Sequence, residues 1–543
     1  MLLTIKSHFC GGEASHLFCH HRRMMKTLGR LFLLAVLSSY GSAQAKNGLT
    51  VSTAQGKVAG SLVTPTVRQF LGIPYATARR WQAPQLPPKR SGTFNATSFS
   101  NTCVQSLTPG NVEFQKLAGG LGLDTPAGED CLTVNIWAPS VSRKQKTAVL
   151  LWVFGGSFQF GTSNLPTYIG QNFVRDNDDI TIVTFNYRLN IFGQPNAPQL
   201  VSSNRSQNFG LLDLDAVVQW VHDNIANFGG DPNRITIFGE SAGACATDVY
   251  SFAHPTDKIV KGIIQESGNI GFITTGALGQ PTLNATQWNT VASAVGCGST
   301  ANAAQFACME AVPFQTLENA VISTGITFKL LTDNITIFAD TAARASAGKF
   351  LKVPLLSGSN LNEGDIFVVA EELLTLGDAP PGITQTDADR LTEVGFTCPA
   401  GITTMQRVNA GVTTFRYQYQ GVFPDISTRP DLRAYHVAEI PIVFGTYNSS
   451  TSPIGPTPDE IALSTFIQKA WVAFAINPTG GLPSIGWPKY NPVTPTLAQL
   501  GNPLNPKGIA LTTGAIVDSQ CANASALAAQ LGSSAPGLGS VLR

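Results

Sequence analysis

At 543 residues the chain exceeds the usual single-domain size, and length alone points to two or three domains. Its composition, 43% hydrophobic and 13% charged with 52 Gly and 33 Pro, excludes a coiled coil or a disordered chain and favours a large, loop-rich globular fold. The near-balance of 35 basic and 34 acidic residues gives no electrostatic footprint for a nucleic-acid partner.

The first predicted element is a leader. Met24–Lys46 carries Lys26 and Arg30, then the apolar run Leu31–Leu37, then Ala43-Gln44-Ala45. That order of basic, apolar and small residues predicts a secretory signal over 24–45, cut after Ala45, with residues 1–23 as an upstream extension or a long n-region. The apolar run is too short to span a bilayer. Removing residues 1–45 takes away five basic residues and one acid, leaving a net charge of −3. Secretion places seven cysteines (Cys103, Cys131, Cys245, Cys297, Cys308, Cys398, Cys521) in an oxidising compartment, where an odd number leaves one thiol over. Six Asn-x-Ser/Thr sequons, at Asn95, Asn204, Asn284, Asn334, Asn448 and Asn523, fit an extracellular glycoprotein.

Further along, short β-branched or aromatic runs alternate with helical stretches. Ala148–Phe154, Asp179–Tyr187, Arg234–Phe238, Gly262–Ser267 and Val353–Ser359 read as buried strands. Asp213–Gly229 reads as a helix, since Ala216, Val217, Trp220, Val221 and Ile225 fall three and four apart and two glycines end it. Asp231–Asn233 then reads as a turn into the next strand. Near-continuous apolar strands between helices predict a mostly parallel sheet covered on both faces. No repeat, linker or charge block interrupts the chain, so 46–543 is expected to form one α/β domain, against the length prior.

Within that frame, Arg234–Phe238 runs into Gly239-Glu240-Ser241-Ala242-Gly243 and then a helix-compatible stretch. A serine on a tight strand-to-helix turn needs small residues two positions either side, which Gly239 and Gly243 supply. A hydroxyl nucleophile needs a base, and three histidines follow the leader. His222 falls inside a predicted helix. His254, thirteen residues past Ser241, reads as a cation at a helix end. His436 lies on a loop late in the chain, where the order Ser, acid, His places the base. The acid should then follow a strand between the two; Glu363 fits and Asp365 fits nearly as well, its work being to fix the imidazole tautomer. Gly155, Gly156 and Ser157 follow an early strand and offer amides for an oxyanion, with Ala242 as the other donor.

Taken together, FLGIPYA, EDCLTVNIW, WVFGGSFQFG, FNYRLNIFG, FGESAGA and SGSNLNEGD resemble the type-B carboxylesterase/cholinesterase/lipase family of α/β-hydrolases, and the fungal secreted carboxylesterases above all. The resemblance implies an α/β-hydrolase fold with Ser241 as nucleophile, His436 as base and Glu363, not Asp365, as acid, and Gly156, Ser157 and Ala242 as oxyanion donors. It implies disulfides Cys103–Cys131, Cys297–Cys308 and Cys398–Cys521, leaving Cys245 as a buried odd thiol. It also implies ion pairs Arg80–Glu129 and Arg188–Asp213. Ser157 stands where the family usually has a third glycine, which narrows the oxyanion site against bulky tertiary-alcohol esters. Choline esterases of the family carry a Trp in the first disulfide loop; here Phe114 is its one aromatic, which argues against choline esters. The Gly-rich Leu117–Asp124 in that loop reads as a flap.

The expected activity is secreted hydrolysis of small-molecule or lipid carboxylic esters through an acyl-enzyme, with no metal or organic cofactor. The alternatives are a lipase or sterol esterase working on long acyl chains, and a non-catalytic adhesion module, which the intact Ser241, Glu363 and His436 disfavour.

Overall fold

In the computed structural model the described residues are 48–119, 126–201, 204–274, 276–374, 384–449 and 452–534. The leader and most of the glycine-rich flap lie outside them. Residues from Val51 onward form one unit.

Its centre is an eleven-stranded sheet: β1 (Ser61–Thr64), β2 (Val67–Pro74), β3 (Thr133–Pro139), β4 (Thr147–Val153), β5 (Ile180–Phe185), β6 (Gly230–Glu240), β7 (Val260–Glu266), β8 (Leu355–Asn360), β9 (Thr414–Tyr419), β10 (Leu497–Asn502) and β11 (Asn505–Thr512). The spatial order is β11-β10-β9-β8-β7-β6-β4-β5-β3-β2-β1. From β5 through β10 every neighbouring pair is parallel, whereas β1, β2, β3 and β11 run antiparallel at the two edges. The expectation of a mostly parallel sheet therefore describes the middle of the structure, where β4, β5, β8 and β9 are buried at every residue.

The helices used below are α1 (Pro109–Leu117), α2 (Phe209–Phe228), α3 (Ala242–Ala253), α4 (Ala285–Ala294), α5 (Ala303–Ala311), α6 (Phe314–Thr324), α7 (Asp365–Leu374) and α8 (Pro458–Ile476). Side chains alternate across a strand, so Val149 and Trp152 of β4 face opposite ways. Val149 approaches Ile225 of α2 around Gly230. Trp152 packs edge-on against Phe444, centroids 5.1 Å apart. Helical structure thus covers both faces. A smaller core, built on Trp81, Trp288, Met309 and Leu317, lies among α4, α5 and α6.

Two local readings change. Helix α2 begins at Phe209, four residues before Asp213, because the buried Phe209, Gly210 and Leu211 extend its apolar face. The Asp231–Asn233 stretch is a bulge inside β6 rather than a turn before it: Gly230 pairs with Thr147 and Ile235 with Val149, so the extra residues swell out between them.

Candidate active site

The parallel strands bring the candidate residues to one end of the sheet, where open α/β sheets form their crevices: Ser241 follows β6 directly, Glu363 lies three residues past the end of β8, and His436 sits in the longer segment after β9. Ser241 follows β6 and opens α3, with φ 54° and ψ −123°. That left-handed φ is costly for a residue with a Cβ and persists only where the surroundings impose it. Here the Ser241 N–H donates to the Glu266 carbonyl at 2.8 Å, and the Cys245 N–H donates to the Ser241 carbonyl at 2.9 Å. A methyl group at Gly243 would stand 1.9 Å from the Val153 carbonyl oxygen. The elbow can therefore close onto β4 only with glycine at that position.

His436 lies in the segment after β9 and is 1% exposed. Its Nδ1 is 2.6 Å from Oε2 of Glu363, and Oε1 of that carboxylate accepts the Asn360 N–H at 2.6 Å. Asn360 also donates through Nδ2 to Glu439 Oε2 at 2.5 Å and to the Tyr435 carbonyl at 2.7 Å. Val437, next to the histidine, holds φ 74°, an outlier for a β-branched residue. Phe114, Phe367 and Phe396 surround the imidazole at 6.4, 5.3 and 4.8 Å between ring centres. Asp365, the rival acid, is engaged elsewhere: Arg433 lies at 2.7 Å and Gln385 donates to it at 2.6 Å.

On its other side, His436 Nε2 is 2.9 Å from Oε1 of Glu240, the residue before the serine. Burial alone would lower the histidine's pKa, but the charges of Glu240 and Glu363 outweigh it and hold the imidazolium well above its ordinary range. Glu240 is itself raised, chiefly by burial and against the pull of His436. Behind it, burial pushes Glu266 up to about 8 although Trp471 donates to it at 2.7 Å, and burial also raises Glu439.

The glycine-rich segment after β4 lies against the elbow: a Cβ on Gly155 would stand 2.9 Å from that of Ser241. Gly156 has φ 108° and Ser157 φ 54°. Among the described residues no backbone carbonyl takes the amides of Gly156, Ser157 or Ala242. The space beside them divides in two. A groove of about 490 Å³ is lined by Ser157, Phe160, Leu278, Ile326 and Phe367, with Thr108, Asn111, Lys329 and Glu371 among its polar residues. A compartment of about 40 Å³ lies between Gly155, Gly156, Glu240, Phe114 and Tyr168.

Residues 47–375, more than half of the chain, match the carboxylesterase family. The chain belongs to that family. It is 35% identical over 464 residues to Secreted lipase 5 of Gibberella zeae (78% of this chain, 84% of the relative). It is likewise 35% identical over 448 residues to chlorogenic acid esterase of Aspergillus niger (80% and 84%). The solved structure of a PNB esterase superposes with a TM-score of 0.70 at 25% identity, covering 86% of this chain and 97% of that one. This carboxylesterase is accordingly a carboxylic ester hydrolase with the α/β-hydrolase fold.

The structure pairs Cys103 with Cys131, Cys297 with Cys308 and Cys398 with Cys521, and leaves Cys245 buried with its Sγ 3.0 Å from the Asn269 carbonyl. Arg80 meets Glu129 at 2.5 Å and Arg188 meets Asp213 at 2.7 Å. The two histidines set aside are occupied elsewhere: His222 lies beside Asp223 at 3.0 Å, and His254, ending α3, lies 2.8 Å from Asp215. Sequence reasoning missed Glu240, Glu266 and Glu439. Glu240 had a signal, being the one charged residue inside Gly239–Gly243; the other two become neighbours only through the sheet. Among the described residues no helix is long and apolar enough to cross a membrane.

Proposed function

We propose that this carboxylesterase is secreted after loss of its leader at Ala45, with 46–543 as the mature enzyme, and works through Ser241, His436 and Glu363. The observation that carries the reading is the Glu363–His436 hydrogen bond, 2.6 Å long and fully buried, set against the Ser241 elbow.

Glu363 accepts from Nδ1 and leaves Nε2 as the basic nitrogen. With an ester bound, Nε2 takes the Ser241 proton as Oγ adds to the acyl carbon. The resulting oxyanion is held by the amides of Gly156, Ser157 and Ala242, each such donor being worth about 10²–10³ in rate. The carbon–oxygen bond to the alcohol breaks, and Nε2 returns the proton to that oxygen. Water then repeats both steps on the acyl-serine, releasing the acid and restoring Ser241. The groove of about 490 Å³, lined by Phe160 and Phe367 together with polar residues such as Thr108 and Asn111, suits dispersed esters of moderate size over long-chain aggregates.

Ser241→Ala should lower hydrolysis of p-nitrophenyl esters by about 10⁵-fold or more and abolish labelling by an organophosphonate. Hydrolysis at the wild-type rate would overturn the assignment. Rates against acyl length, with and without emulsion, separate esterase from lipase.

A further inference from the structure

A second cavity, about 690 Å³, shares no lining residue with the catalytic groove. Leu200, Val201, Phe306 and Ile335 give it apolar walls, and Gln199 and Arg205 are polar residues among them. Val201 is 65% exposed. Uncovered apolar surface of this kind is a liability in an extracellular protein unless something sits over it.

Two of the six sequons converge on this cavity. Asn204 lines it directly, followed by Arg205 and Ser206; in Asn334-Ile335-Thr336 the middle residue lines it. The two tripeptides are far apart in sequence, yet their hydroxyl residues meet, Ser206 Oγ lying 3.5 Å from Thr336 Oγ1. Both asparagines are exposed. The Asn334 side chain is steadied through its oxygen, which accepts the Ala339 N–H at 3.0 Å; its nitrogen is the atom a sugar would modify. The other four sequon asparagines are exposed as well, but none lines either cavity.

We propose that N-linked glycans on Asn204 and Asn334 cover this cavity, their first sugars lying over its apolar walls. The inference rests on the secretory reading above. In the transfer step, Nδ2 of each asparagine bonds to the anomeric carbon of an oligosaccharide carried on a lipid diphosphate. The bond from that carbon to the diphosphate oxygen breaks, and the amide loses a proton. Ser206 and Thr336 are 6% and 4% exposed, and a transferase needs the whole tripeptide, so transfer precedes folding, and the fold then buries the two hydroxyl residues and leaves the modified asparagines at the surface.

The test secretes the full chain from yeast, sequences its N-terminus and reads occupancy at all six sequons by peptide mass spectrometry. Expected is occupancy at both Asn204 and Asn334. Asn204→Gln with Asn334→Gln should raise binding of the fluorescent probe ANS several-fold, while Asn95→Gln does not, and hydrolysis of p-nitrophenyl esters stays unchanged in both. Should the double variant not be secreted, enzymatic removal of glycans from the folded wild type should give the same rise. A processed, secreted enzyme bare at both positions overturns the proposal and leaves the secretory reading standing. Failure to be secreted by the wild type overturns both, and occupied sites whose loss does not change ANS binding overturn the covering role.

Discussion

His436 and Phe367 lie 5.3 Å apart, ring to ring, but they belong to regions built in different ways. The histidine is held by Glu363, which is held by Asn360, which in turn grips Glu439 and the Tyr435 carbonyl. All of these side chains are essentially buried; Asn360 and Glu363 sit at the end of β8, and Tyr435, His436 and Glu439 come from the segment after β9. Phe367 is half-buried on a helix and faces a groove whose other residues include the start of α1, Leu278, the segment after α6 and the end of the glycine-rich loop. Only Gln115 is buried on α1. On the proposed mechanism the difference separates two tasks: a buried, interlocked network holds the groups that would handle protons, while surface segments shape what enters.

The strongest way to break this comparison is on the rigid side. Glu363→Gln keeps the shape but offers the wrong hydrogen-bond partner to the imidazole, so kcat should fall by about 10⁴-fold with KM little changed. Steady-state kinetics at neutral pH check it, and a loss of only a few-fold would mean that Glu363 merely fills space. On the groove side, Phe367→Ala should raise KM for aromatic acyl esters by about ten-fold with a smaller change in kcat. An equal fall in kcat would show the ring to be part of the proton-handling side. The subtlest change is Glu240→Gln. His436 must be neutral to act as base, and Glu240 helps keep it charged; removing that charge lowers the histidine's pKa. The acid limb of the kcat/KM profile should therefore move to lower pH. A limb that stays in place, or moves upward, would sink the electrostatic role given to Glu240.

How much of this was legible follows the same division. The elbow is visible in sequence because its close approach to β4 demands glycine at Gly243, a constraint of composition. His436 emerges because only three histidines follow the leader. Glu363 and Asp365 cannot be told apart by pattern: both flank one glycine after one strand. What separates them is Arg433, 68 residues past Asp365, which pairs with that acid and not with Glu363. Strand β9 escaped for a related reason. Its residues are all buried, yet it carries Arg416, whose charge is met by Asp518 far along the chain; without that partner the stretch does not read as a buried strand. The groove is the least legible part, since its residues share no local motif.

The Cys103–Cys131 disulfide bears on how such an enzyme changes over time. It brings together the two ends of a loop spanning 28 positions, with Cα atoms 5.0 Å apart, and that loop contributes α1 and Phe114 to the space beside Ser241. Both ends are fixed whatever lies between them, so insertions or replacements inside the loop need not disturb the strands. A lineage can rewrite what its enzyme admits and still inherit the chemistry unaltered.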